Sequence, residues 1–265
     1  MRAFSELLNG GEGGEAVLGT WSQIGAPEVI DILGTCGFRF VIVDAQHTSF
    51  SMQTVENLAR ACAANGLVAI VRVADNLPHL ILQARDLGAA AVIVPGIATR
   101  EAAAAAVRAA RFGPDGQRSA CPFVRASGQY VADWGDYARR SDAEPAVIAL
   151  VESPEGIANC DAIATVPGIA AILAGPFDLS VAMGHGNDMR HAEVVGAMEK
   201  LLAAAKRAGV PLIMPIFAPS AGECREVMQE WQRRGVKLFT VGGDKLFLAD
   251  YARRYVGELR GRREG

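Results

Sequence analysis

At 265 residues, 51% hydrophobic and 21% charged, the chain is long enough for a full core and fits one large domain or two small ones. Its 26 basic and 29 acidic residues give a net charge of -3, which leaves no basic field to hold a phosphate backbone, so no nucleic-acid partner is expected. The opening MRAFSELLNGGEGGE has no apolar core flanked by basic residues, and no later run approaches the roughly 20 apolar residues of a membrane span; a cytoplasmic protein without membrane contact is expected.

In chain order, the runs AVLGTW, FRFVIVDA, LVAIVRV, AAVIVPG, AVIALVE, GIAAILAG, VPLIMPIF and KLFTVGG are of strand length and continuous rather than alternating. That pattern predicts parallel strands buried on both faces. Between them, segments such as APEVIDILGTCG, SMQTVENLARACAANG, SPEGIANCDAIATVPG and HAEVVGAMEKLLAAAKRAG carry helical spacing, and several close on Gly just before the next strand. About eight alternations of strand and helix predict an α/β fold, a single (β/α)8 TIM barrel over residues 1–265, with an open doubly wound sheet as the alternative.

One stretch breaks the rhythm. At about 113–145 lies a longer excursion containing Tyr130, Trp134 and Tyr137, read either as a surface excursion with its own apolar contact or as a lid or subunit contact near the active site. Cys36, Cys62, Cys121, Cys160 and Cys224 are odd in number and widely spaced, which favours reduced thiols over disulfides or zinc.

In such a barrel, function collects where the strands end. VIVDAQH ends in Asp44, Gln46 and His47, AIVRV carries Arg72, IALVE ends in Glu152, and ILAGPFD ends in Asp178. Glu152 and Asp178 are hard oxygen donors suited to a divalent ion of the magnesium or manganese type; each would serve equally as a cap on the helix that follows, Asp178 as an N-cap. The guanidinium of Arg72 in so apolar a strand needs an anion, supplied by substrate or by a structural ion pair with Asp44 or Asp86. A carboxylate on one ring nitrogen of His47 would leave the other free to move a proton, against the plainer reading of a structural histidine. His79, His185 and His191 read as bystanders. The turn into a helix at Gly175, Pro176, Phe177 and Asp178 would point backbone N–H groups outward toward a carboxylate or phosphate, a weak signal alone. No P-loop or dinucleotide fingerprint is present in the sequence.

In this order the residues resemble the HpcH/HpaI aldolases, class II metal-dependent pyruvate aldolases, from LGTWSQIGAPEVIDILGTCGFRFVIVDAQH to FTVGGDKLFLADYA. The family's D-x-E-H strand end falls on Asp44, Ala45, Gln46 and His47, its strand arginine on Arg72, and its LLDxGA acid on Asp86. Its metal-binding glutamate falls on Glu152, its GPxDLS aspartate on Asp178, and its strand-end tryptophan on Trp21.

The resemblance implies a TIM barrel of the phosphoenolpyruvate/pyruvate-domain type that takes 2-oxo acids and aldehydes. It implies Mg²⁺, Mn²⁺ or Co²⁺ on Glu152 and Asp178, with Arg72 stabilising an enolate and His47, oriented by Asp44 or Asp86, moving the proton. It also implies a homo-oligomer, a hexamer built as a trimer of dimers, whose C-terminal helix at about 244–260 is exchanged between subunits. Two letters depart from the family: Gln46 stands for its usual Glu, and Leu150 for a Gln on the pocket wall. Both touch substrate choice and proton transfer, and they keep oxaloacetate decarboxylation, or another enolate reaction, open as the alternative. A barrel kept only for binding or assembly is a third reading.

Overall fold

The computed structural model describes residues 3–8, 15–218 and 220–261. Residues 9–14 of the opening stretch and both extreme termini of the expected 1–265 domain lie outside the described residues. Eight strands, β1 (Val17–Ser22), β2 (Phe40–Asp44), β3 (Val68–Arg72), β4 (Ala91–Val94), β5 (Val147–Val151), β6 (Ile169–Ala174), β7 (Leu212–Ile216) and β8 (Leu238–Gly243), pair in parallel in sequential order. The β1–β8 pairing closes the barrel, so the open sheet is ruled out.

Closure explains the unbroken apolar runs. Alternate residues such as Phe40, Ile42, Val68, Ile70, Ile93 and Ile148 fill the barrel interior, while Val41, Val43, Ala69, Val71, Val92 and Val94 pack outward against the helices. Both faces of the strands are therefore largely buried below the mouth, and the period of two is masked by apolar residues on each side. Gly19 makes room inside: a Cβ there would lie 2.3 Å from the Phe40 ring.

The helices start on side-chain caps, with Ser51 accepting from Thr54 N–H and Thr99 from Ala102 N–H. The long helix Ala192–Ala208 ends on Gly209, whose φ of 71° lies in the left-handed region. The stretch read as one helix after β5 is two, Pro154–Ala158 and Cys160–Ala164. The break falls at Asn159, whose side-chain amide donates to Ala98 O at 2.8 Å. All five cysteines are free, and among the described residues no helix is long and apolar enough to cross a membrane.

The excursion at 113–145 runs from the C-terminal end of the helix Arg100–Ala110 to the start of β5, and so covers the N-terminal end of the strands. Of the two readings of this stretch, the surface excursion with its own apolar contact is the one seen, and a lid over this chain's own mouth is corrected, because the segment faces the opposite end of the barrel. Trp134 and Tyr137 pack on Phe112 with ring centroids 4.9 and 6.0 Å away, whereas Tyr130 stacks on Phe123 instead. Leu7, from the short helix Ser5–Leu8, and Phe4, just before it, join the interior cluster as a plug.

Candidate active site

At the C-terminal mouth a cavity of about 730 Å³ is lined by Trp21, His47, Arg72, Leu150, Glu152 and the Gly175–Asp178 turn, together with Gln23, Leu173, Asn187, Met189, Pro215, Phe217 and Lys245. Asp44 and Arg72 are register partners on β2 and β3, which places a fully buried carboxylate beside the guanidinium. Arg72 donates from Nε to Asp44 Oδ1 at 3.0 Å and from Nη2 to Oδ2 at 2.7 Å. The same carboxylate accepts from Gln23 Nε2 at 2.7 Å and from the backbone N–H groups of Gln46 at 3.0 Å and His47 at 3.2 Å. Burial alone would raise the Asp44 carboxyl, but Arg72, Gln23 and the His47 N–H outweigh it and hold it below the usual carboxylate range.

Arg72 thus has its structural ion pair, and it still lines the cavity. Its guanidinium lies 4.5 Å from the centroid of the Trp21 ring, whose indole N–H donates to Thr240 Oγ1 at 3.1 Å. Packed against Trp21 and forked onto Asp44, the group is fixed in aim.

Upstream of that fork lies a second clip. Asp244, 4% exposed at the start of the helix Asp244–Leu259, accepts from Ser22 Oγ at 3.1 Å and from the N–H groups of Gln23 and Ile24 at 2.9 Å. It ties the loop after β1 to the end of β8 and so sets Gln23 against Asp44.

Across the cavity, Glu152 follows β5 and Asp178 sits in the first turn of the helix Pro176–Ala182. Gly175 is the N-cap residue and no side chain caps that helix, so the N-cap reading of Asp178 is corrected. A Cβ on Gly175 would lie 2.3 Å from Glu152 Cβ, so only glycine lets the two strand ends approach this closely. Glu152 Oε1 accepts the Gly96 N–H at 2.8 Å. Burial pushes its carboxyl above the usual range, with the Asp178 charge adding to the rise and the Gly96 N–H and Arg72 opposing it. Among the described residues neither carboxylate enters an ion pair. Two hard oxygen donors without a cation fit a divalent ion.

Of the residues read from the sequence, Trp21, His47, Arg72, Leu150, Glu152 and the Gly175–Asp178 turn come together here, with Asp44 behind Arg72. Asp44 holds the backbone of His47, not its ring, and no hydrogen bond to that ring is present among the described residues. Gln46 does not line the cavity; its Oε1 is buried without a partner. Asp86 is elsewhere. It ends the helix Pro78–Asp86 at the far end of the barrel and pairs with Arg118 Nη2 at 2.6 Å, so within this chain it does not orient His47.

The sequence reading missed Gln23, Asp244, Asn187, Met189 and Lys245. The strand-end rule, applied to β1 and β8 as strictly as to the others, points to Gln23 and Asp244. Asn187 and Met189 come from a loop after β6, where periodicity carries no information. That loop is latched by His185, whose Nε2 lies 2.9 Å from Glu193 Oε2 and whose ring stacks on His191 at 3.5 Å. Possible ligand atoms of the three residues lie within 4.8 Å of one another. The rings are only 17° from parallel, which aims their lone pairs along separate planes, so a hydrogen-bonded latch describes the cluster better than an ion site.

A closed parallel barrel that gathers paired carboxylates and a fixed guanidinium at its C-terminal mouth has its charged groups where barrel enzymes carry their active sites. The model of the HpcH/HpaI aldolase/citrate lyase family matches residues 18–241. A 2-dehydro-3,6-dideoxy-6-sulfogluconate aldolase from Pseudomonas putida is 30% identical over 93% of this chain and 94% of its own. A 5-keto-4-deoxy-D-glucarate aldolase from Salmonella arizonae is 32% identical over 86% of each. The crystal structure of an HpcH/HpaI aldolase/citrate lyase family protein from Burkholderia cenocepacia superposes with a TM-score of 0.85 at 33% identity, covering 94% of this chain and 96% of the other. The chain belongs to the HpcH/HpaI aldolase/citrate lyase family and is an aldolase, a carbon–carbon lyase.

Proposed function

We propose that the enzyme cleaves a 4-hydroxy-2-oxo acid into pyruvate and an aldehyde, and runs the addition in reverse, with a divalent ion of the Mg²⁺, Mn²⁺ or Co²⁺ type held by Glu152 and Asp178. The observation that carries this reading is the pair of uncompensated carboxylates facing a guanidinium that is already locked in place. When bound, the ion supplies Lewis acidity toward the 2-oxo acid.

The chain's own groups do the rest. Arg72 is tied through Nε and Nη2, which leaves Nη1 to donate to the 2-oxo oxygen as negative charge develops there. Because Asp44 fixes the fork beforehand, little reorganisation accompanies that donation. The first-turn N–H groups of Phe177 and Asp178, at the uncapped start of their helix, take the substrate carboxylate. Leu150 and Leu173 keep the enolate side of the cavity apolar. His47, at the cavity edge, takes the proton of the 4-hydroxyl directly or through water.

Oligomerisation belongs to the same reading. Along the helix Asp244–Leu259, Leu248, Tyr251, Tyr255 and Leu259 are all more than half exposed, which supports an apolar face shared between subunits.

Lys245 lines the cavity, so a Schiff base is a real competitor to the metal. Purified protein with pyruvate, a panel of aldehydes and Mn²⁺ is expected to form aldol product, to lose activity in EDTA and to trap nothing with borohydride. EDTA-resistant turnover together with a borohydride-trapped pyruvate adduct would overturn the metal mechanism. Rapid Mn²⁺-dependent loss of CO₂ from oxaloacetate without any aldol turnover would move the assignment to the decarboxylase.

A further inference from the structure

We infer that Arg85 binds a small oxyanion, a carboxylate or phosphate group, in a cavity at the end of the barrel opposite the mouth. The site is separate from the aldolase chemistry and does not rest on that reading.

The cavity measures about 320 Å³, and its lining includes Arg85, Arg118, Arg140, Ser141, Tyr137 and Glu144. Three guanidinium groups therefore stand against one carboxylate in its walls. Arg85, in the last turn of the helix Pro78–Asp86, is 9% exposed, and Arg118 is 4% exposed. Charge this deep is costly unless an anion meets it.

The arginines differ in how they use their donors. The Nε and Nη2 edge of a guanidinium is a parallel pair of N–H groups that matches two oxygens of an oxyanion. Arg72 gives that edge to Asp44, and Arg118 gives it to Asp86, with Nε at 3.2 Å and Nη2 at 2.6 Å. In Arg85 the same edge is empty. Nη1 alone anchors the side chain, on Ala89 O at 3.0 Å and Ala90 O at 2.9 Å, while Nε is buried without a partner and Nη2 makes no hydrogen bond among the described residues.

Among the described residues no acid fills the gap. Asp142 accepts the Phe112 N–H at 3.2 Å and Glu144 the Ser5 N–H at 3.0 Å, and neither pairs with Arg85. Burial, then the Arg118 charge, lowers the Arg85 guanidinium to about 10, so it stays charged at neutral pH. Two further groups favour an anion beside it. Ser141 Oγ accepts from Arg118 Nη1 at 3.3 Å, which leaves its own proton to donate, and Arg140 at the exposed rim shares Asp136 with Arg139. A small oxyanion there would join Arg85 on one helix to Ser141 on the helix Trp134–Ala143.

Such a ligand stabilises the folded state, so the test is thermal. Purified protein is melted in inorganic phosphate, in succinate and in chloride at equal ionic strength, which cancels general screening. At least one oxyanion is expected to raise Tm saturably over chloride, and the larger rise identifies the one the site prefers. In Arg85→Met that rise is expected to be lost, with affinity by calorimetry down roughly 10- to 100-fold, the scale of charge-assisted hydrogen bonds. Should that variant fail to fold, Arg140→Glu on the exposed rim is expected to weaken the binding about threefold or more. No rise over chloride in the wild type, or a rise that survives Arg85→Met or Arg140→Glu undiminished, overturns the inference.

Discussion

The two ends of this barrel treat charge in opposite ways. At the N-terminal end Arg118 is closed on Asp86, Arg85 donates to the carbonyls of Ala89 and Ala90 at 3.0 and 2.9 Å, and Phe4 and Leu7 plug the interior. At the C-terminal end Glu152 and Asp178 stand together without a cation, and burial and mutual repulsion raise the Glu152 carboxyl. One end meets its charge with an ion pair at Arg118 and backbone carbonyls at Arg85, whose Nε is left without a partner, and the other holds two carboxylates that meet no cation among the described residues. The same strands and helices supply both, so the difference lies in side chains at strand ends, where stability and binding make opposite demands.

The largest expected effect breaks the open end. Glu152→Gln and Asp178→Asn should each lower kcat/KM by at least roughly 10³-fold, the size of losing several kcal/mol of Lewis-acid stabilisation. Calorimetry should show Mn²⁺ affinity lost in parallel. The same Glu152→Gln change should raise Tm in EDTA by a few degrees, because it removes a buried charge and its repulsion with Asp178; about 1 kcal/mol corresponds to about 2–4 °C at this chain length. A metal-free Tm that falls instead would mean that Glu152 holds the fold, through Gly96, more than it serves the site.

A middle-sized effect belongs to the closed end. Asp86→Asn leaves Arg118, whose side chain is fully buried, without its anion. Asp86 itself is partly exposed, so the cost is about 1–3 kcal/mol, below that of breaking a fully buried pair. Thermal melts should show Tm falling while kcat of the folded enzyme stays within about threefold. A collapse of kcat at unchanged Tm would return Asp86 to the chemistry, in contact with a neighbouring copy's site.

What the sequence made legible follows the same division. Strands, the glycine ends of several helices and the Glu152, Asp178 and Arg72 positions are readable because each sits where an apolar run or a helical repeat stops, and that signal is local. Asp86 lies away from His47 within the chain because its motif is local, whereas the end of the barrel it occupies depends on the direction of its helix. The lid reading of the excursion falls for the same reason: this segment joins the start of β5, at the end of the barrel opposite the mouth. Gln46, read as a letter beside the site, is placed behind it by backbone geometry, since Asp44 holds the N–H groups of both Gln46 and His47 and no side-chain pattern encodes that turn.

The smallest expected effect sharpens the contrast at one hydrogen bond. Gln23 Nε2 donates to Asp44 at 2.7 Å, and Asp44 is a carboxyl whose folded pKa lies below its unfolded value near 3.9. Stability from such a group is fully present above the unfolded pKa and is lost as pH falls through the folded one. Gln23→Ala removes one donor to the ionised form and shrinks the depression, costing about 1 kcal/mol at neutral pH. Denaturant melts of both proteins from pH 6 to pH 3 should show a constant difference above about pH 5 that narrows below about pH 4, as both carboxyls take up a proton. A difference that stays flat into acid would mean that Gln23 stabilises by packing alone, and that Arg72 is sufficient to hold Asp44 ionised at the mouth of the barrel.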